Sequence, residues 1–182
     1  MPNVQQEDFV TDSSHHPVKP ALNQIRSVRE FMRLGGQSVD KFDAGQTCLY
    51  IGLQLEELRE QLEQVAAGHI GDLDPRDDLY QGIVWMKKLA DSFKQGRYHG
   101  DVLRAPREKL LDGIIDSIVV SCGAAISYSP NPEGAFREVN RANMDKFPDG
   151  VATRDANGKI QKPAGWQEPN LTPYVQAMES EL

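Results

Sequence analysis

Residues 110–126 read LLDGIIDSIVVSCGAAI, and Asp112 and Asp116 are the only charges in that run. All the other side chains are apolar or small, on every side of a helix, so the segment predicts a helix over about 107–127 that is buried nearly all round. The two aspartates stand one turn apart and face the same direction, with Val119, Val120 and Gly123 continuing that face. Taking two close carboxylates out of water costs several kcal/mol each unless something compensates. Cations or basic side chains must then pair with them, or at least one is protonated. The plainer alternatives are salt bridges within the helix, or acids near its start that reach water.

Outward from this run, Pro106 suits the first turn of the helix, and Ser129-Pro130-Asn131-Pro132 breaks it. Apolar residues at helical spacing predict four more helices, over 21–34, about 47–67, roughly 78–94 and about 132–146. Gly35-Gly36, Gly68 and Gly96 are natural stops. Residues 97–105 read as a loop. The fold expected is all-α, a four- to five-helix bundle spanning 21–146. It is preceded by a flexible arm over 1–20 and followed by an irregular segment over 147–182 that completes the site or an interface. In that segment Asn157-Gly158 suggests a short hairpin, and a last short helix is expected after Pro173.

With 182 residues, 39% of them hydrophobic and 26% charged, the chain can build a core and is not a disordered polymer. The net charge of -7 speaks against DNA or RNA as the main partner, but not against a small phosphate ligand. The polar, acidic start is unlike a secretory signal, and no run approaches the ~20 uninterrupted apolar residues of a bilayer span. Cys48 and Cys122 lack metal-type spacing, so a reducing cytoplasmic setting is expected. His15-His16 reads as a plain pair on an extended arm.

The second place that carries chemistry is Glu56-Glu57-Leu58-Arg59-Glu60, where Glu56 and Glu57 both share a helix face with Glu60. A solvated acidic helix surface is the plain alternative. If this triplet converges with Asp112 and Asp116, five carboxylates meet, repelling by about 4 kcal/mol per close pair at an effective dielectric near 20. Such a gathering makes sense around divalent cations, and all-oxygen ligation selects Mg²⁺ or Mn²⁺ over Zn²⁺.

The ordered set of Val28-Arg29-Glu30-Phe31, Leu53 to Glu60, Leu111 to Asp116, Glu138 to Phe147, Gly158 to Lys162, Trp166 and Pro169-Asn170-Leu171 resembles a known superfamily. This is the all-α nucleoside triphosphate pyrophosphohydrolases, and within it the MazG-like (phage-type) and phosphoribosyl-ATP pyrophosphohydrolase-like branches. The resemblance implies a metal-dependent hydrolase that cleaves a (d)NTP at the α-phosphate to (d)NMP and pyrophosphate, with a purine such as dGTP as one preference. It implies Mg²⁺, replaceable by Mn²⁺, held by Glu57, Glu60, Asp112 and Asp116, with Glu56 or Glu57 as catalytic base. Asp112 departs from the family spacing, because Gly113 stands in the usual glutamate slot. Asn143, Lys146, Arg141, Lys162 and Trp166 are the implied substrate-binding residues, with Arg141 equally readable as surface charge. Trp85 fits the apolar pattern of its helix and reads as packing. A homodimer or homotetramer is implied, while the cysteine usage, charge and hydropathy above set the expectation of a cytoplasmic protein with no nucleic-acid polymer or membrane as partner. The alternatives are phosphoribosyl-ATP hydrolysis and a non-catalytic helical dimerisation module.

Overall fold

The computed structural model describes residues 23–69, 71, 73–154 and 160–175. The arm over 1–20 with His15-His16, the Asn157-Gly158 turn and the chain beyond Val175 lie outside those residues. The described chain is mostly helical: α1 (Asn23–Leu34), α2 (Ala44–Ala67), α3 (Asp78–Lys94), α4 (His99–Arg104), α5 (Arg107–Tyr128) and α6 (Pro132–Met144), then a 3-10 turn at Thr172–Tyr174. One antiparallel bridge joins Arg154 to Ile160.

Caps explain where the helices begin. α2 starts three residues before the expected Thr47 because the Asp43 carboxylate accepts the Gln46 N–H at 2.9 Å and the Ser38 hydroxyl at 3.1 Å. α3 is capped by Asp77, which accepts from the Leu79 N–H at 2.8 Å. Asn131 accepts from the Gly134 N–H at 2.9 Å, and Pro132 opens α6 where a missing N–H does no harm. Pro106 stands just before α5 rather than inside it. α4 was not expected; at six residues it is too short to carry a periodic signal.

The tightest packing joins α2 to α3. Gly52 is buried on α2, and a Cβ there would lie 2.8 Å from Lys94 Cγ and 2.9 Å from the Ala90 carbonyl oxygen. Only hydrogen fits, so Gly52→Ala must push the hairpin apart. Overpacking of this kind costs about 1–3 kcal/mol. A lower denaturation midpoint for Gly52→Ala checks the contact, and an unchanged one refutes it. One turn earlier on α2, Ala44 and Cys48 form a small buried cluster with Val102, against which Ile51, Phe93 and Leu110 pack. Cys48 is fully buried, its sulfur 3.3 Å from the Phe93 carbonyl oxygen.

α5 departs from expectation. None of its 22 residues is buried. Leu110, Ile114 and Ser117 are half-covered on one side, and every residue beyond Ser117 is exposed. Leu111, Ile115, Ile118, Val119, Val120 and Ile126 stay 42–68% exposed. The hairpin meets only the first half of α5, through Leu110 and a 3.4 Å contact from Gln54 Nε2 to Ser117 Oγ. By length and composition α5 is apolar enough to cross a membrane, which the sequence reading had not expected of any segment.

Candidate functional site

The acids of α2 divide between two sets of partners. Glu56 turns toward α3, where Lys94 Nζ donates to Glu56 Oε1 at 2.8 Å and lies 3.3 Å from Asp91. The close α2–α3 approach at Gly52 is what brings Lys94 there. Arg59 takes the outer acids, pairing with Glu60 at 3.1 Å and with Glu63 one turn on. Glu57 is left between these pairs. Partial burial, then the charges of Glu60 and Glu56, push its carboxyl above the usual range, while Arg59 and Lys146 pull it back down. Among the described residues Glu57 is the α2 acid that no basic side chain bonds.

Lys146 belongs to a second group, built where α6 ends. Its ammonium donates to Asn143 Oδ1 at 2.8 Å and stands 5.9 Å from the centre of the Phe31 ring and 5.8 Å from that of Trp166. Phe31 packs edge-on against the buried Phe147, which ties α1 to this corner. The irregular segment after residue 159 then lies back along α6. The Trp166 indole N–H donates to the Ala142 carbonyl at 2.6 Å, and the Asn170 N–H donates to Glu138 at 3.0 Å. Ser129 Oγ donates to the Tyr174 carbonyl at 2.5 Å. This strap sets Lys162 Nζ 4.0 Å from the centre of the Trp166 ring. Asn143, Lys146, Lys162 and Trp166 therefore lie together, and the charge of Lys146 is felt at Glu57 in α2.

Arg141 is placed differently. Its guanidinium is bonded to Glu138 at 2.8 Å and to Asp145 at 2.5 Å, so it braces α6 instead of reaching for a ligand. That bracing and the Asn170 N–H hold the Glu138 carboxyl down to about 2. A carboxyl depressed from 4.5 stabilises the folded chain fully above its ordinary range, and the effect fades as pH falls from about 4.5 toward 2. Glu138→Gln is therefore expected to unfold at lower urea than wild type at pH 7, with the gap closing across that window. A gap independent of pH would refute the electrostatic role.

Asp112 and Asp116 do not occupy the buried face expected for them. Both are exposed on α5, Asp112 4.0 Å from Lys109. The desolvation argument that singled them out fails within one chain, because nothing among the described residues covers their side of the helix. Glu57, Glu60, Asp112 and Asp116 supply the right chemistry for a hard divalent cation. The described residues nonetheless gather no group of three or more acid, histidine or cysteine side chains that could hold a metal. Among the described residues, then, the metal centre implied by the resemblance is not assembled.

Trp85, read as packing, is 65% exposed on α3. The rest of the apolar pattern, Leu79, Ile83, Met86, Leu89, Ala90 and Phe93, is half-buried or buried, so Trp85 stands apart from the packed side of its helix. Tyr98 is stacked on Phe93, ring centres 4.6 Å apart. Sequence reading missed Lys94 and Glu138. The Glu138–Arg141 pair was legible from its spacing of three, whereas Lys94 meets Glu56 only through hairpin register. Comparisons with protein-family models, curated proteins and solved structures give no match.

Proposed function

We propose that the chain hydrolyses nucleoside triphosphates at the α-phosphate, releasing a nucleoside monophosphate and pyrophosphate. The observation that supports the reading most is electrostatic: the charge of Lys146, just past the end of α6, is felt at Glu57 in α2, and Lys146 and Lys162 both lie over the Trp166 ring. A proton acceptor thus lies within electrostatic reach of a cation suited to phosphate oxygens.

Glu57 fits the proton-accepting role better than Glu56, which Lys94 engages. Water oxygen bonds to the α-phosphorus, its proton passes to the Glu57 carboxylate, and the Pα–O bond breaks with its electron pair leaving on pyrophosphate. Lys146 and Lys162 offset the charge that builds on the departing phosphates, and Asn143 holds Lys146 in place. A Mg²⁺ or Mn²⁺ requirement is part of the proposal, with Glu57, Glu60, Asp112 and Asp116 as its ligands once they are brought together.

The assembly we propose is a homodimer or homotetramer, covering α5. Six aliphatic side chains exposed on one helix form a patch on the scale of the largest, roughly 300–600 Å², that monomers show. Lipid suits this helix less well, since each aspartate near a bilayer centre costs about 2.5–3.5 kcal/mol. The same exposure favours a second reading, a helical dimerisation module without catalysis. Pyrophosphate release from the eight common ribo- and deoxyribonucleoside triphosphates and phosphoribosyl-ATP, with Mg²⁺, Mn²⁺ or EDTA, separates the two. Release from at least one substrate that stops in EDTA is expected. No release from any of them favours the module, and release that persists in EDTA removes the metal.

A further inference from the structure

Glu56 stands beside Glu57 and one turn before Glu60, and its charge is felt at Glu57. By position it belongs with the acids proposed to hold a divalent ion, yet α3 claims it first. Lys94 Nζ is 2.8 Å from Glu56 Oε1 and 3.3 Å from Asp91 Oδ1, so one ammonium joins carboxylates of two helices. The lysine is also held along its length. A Cβ on Gly52 would lie 2.8 Å from its Cγ, so the stem runs against the bare backbone of α2 one turn before Glu56. The two partners' side chains are only 25% and 32% exposed. The pairing of Glu60 is built differently. Arg59 meets it at 3.1 Å within one helix, divides itself between Glu60 and Glu63, and leaves Glu60 54% exposed. Such a pair contributes little and opens at small cost, whereas parting Lys94 from Glu56 strands two half-covered charges.

We infer that Lys94 is a positioning residue: its ammonium withholds Glu56 from the divalent ion, which is left to Glu57, Glu60 and the aspartates of α5. Affinity for a hard divalent ion follows the number of ligating charges, so one committed carboxylate sets how tightly the ion is held. The inference rests on the divalent-ion part of the function proposed above. It goes further in giving α3 a part in that site through a residue that touches neither ion nor substrate.

The test is Mn²⁺ binding by the full chain without nucleotide, followed through the electron paramagnetic resonance signal of the free ion. Lys94→Met is expected to lower the Mn²⁺ Kd at least about tenfold, the effect of one more ligating charge. Lys94→Arg, which keeps the charge, and Lys88→Met, which removes the same charge from an exposed place on α3, are expected to stay within about threefold of wild type. Adding Glu56→Gln to Lys94→Met should return the Kd to the wild-type value. Glu56→Gln alone, which leaves Lys94 folded against Gly52, is expected to change it by less than about threefold. The inference is overturned if Lys94→Met binds no tighter than wild type, if Lys88→Met gains as much, or if the gain survives Glu56→Gln. A tenfold loss on Glu56→Gln alone overturns it equally, as does Mn²⁺ binding by none of the variants. Mn²⁺ held as expected without pyrophosphate release would instead count against the catalytic proposal and leave this inference standing.

Discussion

Replacing Glu57 by glutamine is expected to lower the rate of pyrophosphate release by about 10²–10⁴-fold, the range for removal of a positioned general base. The substitution keeps the side chain's shape but removes its charge, and with it both its ability to accept a proton and its hold on a cation. Its neighbours are already committed, Glu56 to Lys94 and both Glu60 and Glu63 to Arg59. None is therefore placed to take over without breaking an existing pair. Glu63→Gln serves as the control and is expected to stay within about threefold of wild type, as surface substitutions usually do. A Glu57→Gln protein with wild-type turnover would move the reaction away from α2.

The second large effect concerns α5. Val119 and Ile126 are 63% and 68% exposed on a helix that one copy of the chain leaves uncovered. If a second copy covers them, each contributes roughly 1.5–3 kcal/mol of burial. A lysine in either place adds the further penalty of desolvating a charge. Val119→Lys combined with Ile126→Lys is therefore expected to weaken self-association by at least about 10³-fold. Light scattering at micromolar concentration should show a multiple of the 20.3 kDa chain for wild type and the single chain for the variant. A monomeric wild type would contradict the assembly. An oligomer that survives both lysines would place the interface elsewhere, with the exposed Trp85 as the next place to look.

Much of the helical skeleton was legible because the signals are local. α3 matches the expected 78–94, and the breaks at Gly35-Gly36 and Ser129 to Pro132 fall where glycine and proline place them. The basic corner was legible in part: Asn143 and Lys146 lie three apart across the end of α6, so their contact follows from spacing. What spacing could not show was how far apart the acids lie. An apolar pattern shows that a helix shuns water, but not whether its own chain or a second copy shields it. The same blind spot hid the exposure of Trp85. The Glu56–Lys94 pair depends on two helices lying at the distance Gly52 permits, which is a matter of tertiary register and leaves no periodic trace.

Hydrolysis in water carrying heavy oxygen tests the central proposal most directly. Attack at the α-phosphorus, with Glu57 taking the proton, predicts that the label enters the nucleoside monophosphate and that pyrophosphate leaves unlabelled, as mass spectrometry of the two products will show. Label in pyrophosphate would place the attack at the β-phosphorus, and no labelled product from any nucleotide would contradict the reaction altogether.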